Sequence, residues 1–149
     1  MKKALSAIWL LLFLAGFSTA TAQDSSGSIW NKLTSIDWEM RYSKMYDAEI
    51  GFPKFNPQVQ ALNGKTVTVK GYILPLETED NSIIISSLPY SQCFFCGGAG
   101  IETVMAVYMK KPRKMNMEQA TFKGTLELND GETGLIYNLK DAEEVLTLE

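Results

Sequence analysis

The chain has no histidine and only two cysteines among its 149 residues. The lack of histidine excludes a Ser-His-Asp triad, a Cys-His dyad, a zinc site with imidazole ligands and haem attachment through Cys-x-x-Cys-His. It also excludes a pH switch built on histidine. Two cysteines are too few for a multi-disulfide scaffold or a self-contained four-cysteine zinc site. Thiol chemistry and thiolate ligation of a metal are therefore limited to one pair of cysteines.

The apolar run near the start of the chain is too short to span a membrane. Ala7–Phe17 is apolar throughout, whereas a spanning helix needs about 20 such residues. Lys2 and Lys3 precede it, and Ala20-Thr21-Ala22 follows as a small-x-small cleavage pattern. These features are typical of a secretory signal peptide.

The balance of charge is acidic once this leader is set aside. Residues 23–149 carry 12 basic and 17 acidic side chains, hence a net charge of −5. Nucleic acid and anionic membrane surfaces both require a basic face, so neither is an expected partner. A chain of this size makes one domain. We therefore expect a signal peptide at 1–22, a disordered leader at 23–29 and a single domain at 30–149, located in the periplasm or secreted.

The pattern of apolar residues in this domain predicts a mainly β fold. Five segments have the alternation or the apolar character of strands: 65–76, 83–85, 102–109, 120–128 and 133–139. A Lys-Gly step interrupts two of them, at Gly71 and Gly124. A glycine bend lets one long strand serve two sides of a small barrel. We predict a small five-stranded OB-like barrel with a short N-terminal helix or strand extension, and an open β-sandwich is the alternative.

The segment before the barrel has its own signals. Apolar side chains at every second position of Ile36–Tyr42 predict a strand with one buried face, which places Trp38 in the core together with Trp30. Residues 46–55 are expected to be irregular. Asn56 before a proline predicts the start of a short helix that ends at Asn63-Gly64.

The residues best suited to chemistry are Cys93 and Cys96, which form a Cys-x-x-Cys motif in a glycine-rich loop. At least one of the two phenylalanines between them is expected to pack inward and shield the sulfurs. The glycines permit a tight turn, and successive backbone N–H groups in such a loop can stabilise a thiolate. The residues expected to support the loop are Pro89, Phe94, Phe95, Gly97, Gly98 and Gly100.

Three interpretations of the cysteine pair stay open at the level of sequence. A disulfide would staple the loop, although closing so short a loop contributes only about 2 kcal/mol. A redox dithiol would exchange with partners, but the β-like flanks differ from the strand-helix setting of thioredoxin-like enzymes. A metal site would use the two thiolates for Cu(I), or as half of a tetrahedral zinc site.

Other residues are auxiliary candidates. Glu102 follows the loop and is either a carboxylate ligand, a proton carrier or a solvated residue at a strand start. Methionines could supply thioether ligands, although methionines on strands more often fill the core. The candidates are Met105, Met109, Met115 and Met117, of which Met115 and Met117 are separated by one residue. A basic run is either a docking site for an acidic partner or a solvated loop; it contains Lys110, Lys111, Arg113 and Lys114.

Five short segments follow one another along the chain: Gly51–Phe55, Leu62–Val67, Gly71–Leu76, Ser87–Tyr90 and Cys93–Gly100. The last of them reads Cys-Phe-Phe-Cys-Gly-Gly-Ala-Gly and is the most specific. In this order the segments resemble a family of small exported bacterial proteins known only as a domain of unknown function. The resemblance covers about residues 30–140.

The resemblance implies a metal-related accessory role, because the family is associated with envelope transport systems and metal homeostasis. We therefore expect an exported binding or accessory protein of the envelope that works through the Cys93/Cys96 loop with an envelope protein as partner, and not an enzyme. Cu(I) and Zn(II) are the candidate metals. The alternatives are a thiol–disulfide oxidoreductase and a structural component with a stapling disulfide.

Overall fold

A computed structural model describes residues 26–80, 82–111 and 118–146. The predicted signal peptide, Met115 and Met117 lie outside these residues. Within the described ranges, no helix has the length and apolarity needed to cross a membrane.

Strands predominate in the described part of the chain. The helices are α1 (Ser26–Leu33) and α2 (Pro57–Gln60), and single 3₁₀ turns occupy Tyr90–Gln92, Phe94–Cys96 and Ile101–Thr103. The strands are β1 (Asp37–Ser43), β2 (Ala48–Lys54), β3 (Thr66–Leu74), β4 (Ile83–Ser86), β5 (Val104–Met109), β6 (Gln119–Leu128) and β7 (Tyr137–Glu144).

Five of these strands close into a barrel in the order β3-β4-β5-β7-β6. The pair β5–β7 is parallel and the other pairs are antiparallel. The small five-stranded, OB-like barrel predicted from sequence is thus confirmed. Strand β7 begins at Tyr137, later than the predicted start at residue 133, because the side-chain amide of Asn129 donates to the carbonyls of Thr133 and Leu135 and holds that stretch as a loop.

Glycine is required where β6 crosses β7. A Cβ atom on Gly124 would lie 2.7 Å from the carbonyl oxygen of Lys140 and 2.9 Å from Cγ of Leu139. The register between β6 and β7 shifts between Lys123 and Thr125, on either side of this glycine. On β3, a Cβ on Gly71 would lie 3.0 Å from the carbonyl oxygen of Ser86. The two interrupted strands therefore use glycine for close backbone approach.

Helix α1 packs against the barrel core. Ile29, Trp30 and Leu33 are buried in the main core cluster. The indole N–H of Trp30 donates to the carbonyl of Lys70 at 2.8 Å, and the buried hydroxyl of Tyr137 donates to the carbonyl of Leu33 at 2.5 Å. Residues 26–29 of the predicted leader are therefore helical, because Ile29 gains burial on the barrel.

Helix α2 begins as predicted. The side-chain oxygen of Asn56 accepts a hydrogen bond from the N–H of Val59 at 3.0 Å, and Pro57 occupies the first helical turn. Gly64 follows with a φ of 72°, in the left-handed region that favours glycine. Helix α2 therefore leads into the first barrel strand.

Strands β1 and β2 form a separate two-stranded antiparallel sheet. Its residues 48–54 were expected to be irregular, so that prediction is wrong. The predicted buried face of β1 is also wrong: Trp38, Met40 and Tyr42 are 44%, 61% and 58% exposed. The other face of β1 is not buried in its place: Asp37, Glu39 and Arg41 are exposed as well, and only Ser43 at the end of the strand is buried, where its hydroxyl donates to Glu132.

Candidate functional site

The cysteine loop connects β4 to β5 and covers the outside of the barrel wall. Alternation along β4 points Ile83 and Ile85 into the main core and Ile84 to the other face. Cys93 packs on that outer face in a second cluster of buried residues, together with Leu74, Ile84, Val104 and Ala106. The first cysteine is therefore part of a hydrophobic core.

Short turns place the two cysteines side by side. Cys93 is extended, with a φ of −76° and a ψ of 170°, and stands between two 3₁₀ turns. Its carbonyl oxygen accepts hydrogen bonds from the N–H groups of Cys96 at 3.1 Å and Gly98 at 3.2 Å. These bonds close the chain around the motif.

The two sulfurs are in contact but differ in exposure. Both cysteines are free thiols, and their Sγ atoms are 3.8 Å apart. Cys93 is fully buried, whereas Cys96 is exposed. Only Cys96 presents its sulfur to an incoming ion or protein.

Three backbone N–H groups beside the cysteines are already used. Those of Cys96, Gly97 and Gly98 donate to backbone carbonyls within the loop, so the predicted anion-stabilising role does not hold for these three groups. Partial desolvation and the neighbouring Cys93 raise the pKa of the Cys96 thiol. The thiolate of Cys96 is therefore disfavoured at neutral pH unless a bound metal ion displaces the proton.

The two phenylalanines of the motif have different environments. Phe94 is half-buried and packs on the cluster that contains Cys93. Phe95 is 48% exposed and meets Phe94 edge-on, with 5.2 Å between ring centroids. Tyr90, which the sequence analysis did not single out, is 52% exposed at the start of the loop. The loop that exposes Cys96 therefore also exposes two aromatic residues.

The proline and glycines have separate structural tasks. Pro89 precedes the first 3₁₀ turn, and its carbonyl accepts the N–H of Gln92 at 2.9 Å. Gly97 has a φ of 76°. A Cβ on Gly98 would lie 2.6 Å from the carbonyl oxygen of Gln92. Gly100 precedes the third 3₁₀ turn, where the carboxylate of Glu102 lies against its Cα.

The auxiliary residues that the structure describes do not complete a metal site with the cysteines. In the described ranges, no set of three or more Cys, Asp or Glu side chains is placed to hold an ion. Glu102 is half-buried in the third 3₁₀ turn, and its charge contributes, after desolvation, to the raised pKa of Tyr137. Met105 is buried in the main core and Met109 packs against it.

The basic run is only partly described. Lys110 forms an ion pair with Glu143, with 3.0 Å between Nζ and Oε1. Lys111 is exposed, and Arg113 and Lys114 lie outside the described residues. The Lys110–Glu143 pair links the end of β5 to β7.

Comparison with known proteins gives one structural likeness. No family model matches the chain, and no curated protein matches it. The crystal structure of a DUF3299 family protein from Pseudomonas aeruginosa PAO1 is similar over 61% of this chain and 68% of that chain, with 18% identity and a TM-score of 0.44. That name is consistent with the predicted resemblance to a domain of unknown function, and a likeness at this level says nothing about activity.

Proposed function

We propose that the chain is an exported accessory protein of the cell envelope whose Cys93 and Cys96 thiolates bind a thiophilic metal ion. Cu(I) and Zn(II) are the ions whose chemistry suits two thiolates. Binding rather than catalysis is proposed, because the described loop offers two thiols and no general base beside them.

The separation of the two sulfurs carries this proposal. Two thiolates bound at about 2.3 Å to one tetrahedral ion lie about 3.8 Å apart, and the Sγ atoms of Cys93 and Cys96 are 3.8 Å apart. The spacing of the two sulfurs therefore already matches that of two thiolates on one ion, and an ion that enters beside Cys96 has to displace part of the packing over Cys93. The pair is held by the hydrogen bonds to the Cys93 carbonyl.

An exposed Cys96 suits transfer of the ion to or from another protein. Two thiolates leave a tetrahedral ion with open positions. Cys96 is exposed, and so are Tyr90 and Phe95 of the same loop. A partner of the envelope would supply the remaining ligands and contact this aromatic surface.

Metal titration of the reduced protein tests the proposal. Native mass spectrometry with Cu(I) or Zn(II) should show one ion held by Cys93 and Cys96. Cys96→Ser, at an exposed position, should weaken binding at least about tenfold through the loss of one of two thiolates. Ser91→Ala, an exposed change in the same loop, should bind like the parent.

Two outcomes would contradict metal binding. One is a parent protein that retains no ion against a weak chelator. The other is equal affinity of the parent and Cys96→Ser. Circular dichroism of each variant shows whether the fold is intact.

Thiol–disulfide exchange is a second candidate, supported by the contact between a buried and an exposed sulfur. Oxidation would join the two sulfurs in one disulfide, with two electrons and two protons passing to a disulfide partner. The raised pKa of Cys96 opposes rapid attack at neutral pH. A reduction potential well above −300 mV with activity in insulin reduction would favour exchange, whereas a lower potential would favour a structural disulfide.

A further inference from the structure

The hairpin of β1 and β2 presents a large apolar surface. Trp38, Met40 and Tyr42 lie on one face of β1 and are 44–61% exposed; we call this set the hairpin face. Met45 and Tyr46, in the turn after β1, are also more than half exposed. Exposed apolar patches of this kind mark interaction sites.

The opposite face of the hairpin is charged. Glu39 and Arg41 on that face are exposed, and the guanidinium of Arg41 lies 3.8 Å from the ring centroid of the buried Phe52. At the end of β1 the fully buried hydroxyl of Ser43 donates to the carboxylate of Glu132 at 2.9 Å. Both faces of β1 are therefore open from Asp37 to Tyr42, and the hairpin face is the apolar one.

Strand β1 also has an unpaired edge. Its partner is β2, and these two strands form the whole of their sheet in the described part of the chain. An unpaired edge offers backbone N–H and C=O groups to another strand. Strand β2 is a poorer template, because Pro53 has no N–H to donate.

The sequence of β1 is complementary to itself in antiparallel register. Pairing centred on Met40 places Glu39 opposite Arg41 of the partner subunit, twice in the dimer. It also places Trp38 opposite Tyr42 of the partner subunit, on the hairpin face. Opposite charges and aromatic residues are favourable directly across two strands. A single two-fold axis through the Met40 pair would therefore pair the strand edges, place opposite charges together and bury part of the hairpin face.

We propose that two copies of this chain pair through β1 and extend the hairpin into a four-stranded antiparallel sheet, β2-β1-β1-β2. The proposal concerns a surface separate from the cysteine loop and does not depend on metal binding. The charge pairs set the register, and the aromatic residues bury apolar area.

Charge reversal tests the register. Glu39→Arg places arginines opposite each other, and Arg41→Glu places glutamates opposite each other. Each should raise the dimer dissociation constant at least about tenfold, because like charges across an interface are costly. The double variant Glu39→Arg/Arg41→Glu restores opposite charges and should restore the dimer. Sedimentation equilibrium over a concentration series measures all four proteins.

Matched charge changes on the barrel serve as controls. Glu79→Arg and Lys65→Glu alter exposed residues outside β1 by the same amounts and should leave dimerisation unchanged. A parent that stays monomeric at millimolar concentration would overturn the proposal. Unchanged dimer dissociation constants in Glu39→Arg and Arg41→Glu would also overturn it. The same holds if the double variant dimerises no better than the single variants.

A crosslink at the two-fold axis tests the same register without any change of charge. In a Cys96→Ser background, Met40→Cys should give a covalent dimer under mild oxidation, because the two side chains face each other. Lys44→Cys, at an exposed position in the turn, should crosslink far less. Equal crosslinking of the two would contradict pairing centred on Met40.

Discussion

At the scale of single residues, Cys96 combines an exposed sulfur with a raised thiol pKa. The thiolate is the reactive form. Because of the raised pKa, a smaller fraction of Cys96 is thiolate at neutral pH than in an ordinary cysteine, and Cys96 reacts more slowly. We predict that its alkylation by iodoacetamide reaches half of its maximal rate at a higher pH than in a cysteine peptide. Metal affinity should rise with pH for the same reason, because binding releases protons.

The control for this prediction uses the buried partner. Cys93 is fully buried, so Cys96→Ser should take up no label when folded and one label after denaturation, measured by intact mass. A midpoint at or below that of the peptide would show that the loop stabilises the thiolate.

At the scale of secondary-structure elements, the contact between β6 and β7 depends on Gly124. A Cβ there would meet the backbone of β7, which cannot move aside as a flexible side chain can. We predict that Gly124→Ala lowers the free energy of unfolding by about 1–3 kcal/mol, as overpacking does. Urea denaturation measures the change.

Gly51→Ala is the matched control within β2. The nearest atom to a Cβ on Gly51 is Cε3 of Trp38 at 3.6 Å, an ordinary van der Waals distance. Its effect should stay within about 0.5 kcal/mol. If both variants lose the same free energy of unfolding, the close approach of the β7 backbone to Gly124 does not explain the loss.

At the scale of the whole molecule, the two proposed surfaces belong to different parts of the fold. The cysteine loop joins β4 to β5, whereas the hairpin is tied to the loop between β6 and β7 through Glu132. We predict that Cys96→Ser leaves the dimer dissociation constant unchanged and that Arg41→Glu leaves the metal content per chain unchanged. Native mass spectrometry measures the dimer fraction and the metal content of the same sample. A weaker dimer in Cys96→Ser, or less metal per chain in Arg41→Glu, would show that the two surfaces are coupled.

Sequence reasoning succeeded where the signal was local. The cap at Asn56 and the strand glycines depend on chemistry within a few residues, and the structure shows both. Strands β3 and β6 were recognised because burial of one face imposes alternation, and β4, which is buried on both faces, was recognised by its short apolar run. The Cys-x-x-Cys motif put two sulfurs within reach of each other, and the turn after Cys93 brings them to 3.8 Å. The roles assigned to the loop residues stay predictions.

Sequence reasoning failed where burial depended on distant contacts. Alternation in β1 marked two faces but did not show that both stay exposed from Asp37 to Tyr42, and Trp38 was wrongly assigned to the core. Three consecutive isoleucines predicted a buried strand at 83–85. They did not show that Ile84 packs against Cys93 on the outer face of the barrel.

By itself the sequence determined that the domain is mainly β, that it has no histidine chemistry, and that its reactive groups are two neighbouring thiols. Tertiary structure alone decided that Cys93 is buried and Cys96 exposed, and that the apolar side chains of the hairpin face stay exposed. The physical reason is the same in both cases. Composition and period are properties of the chain, whereas burial is settled by which distant strand or loop covers a side chain once the barrel has closed.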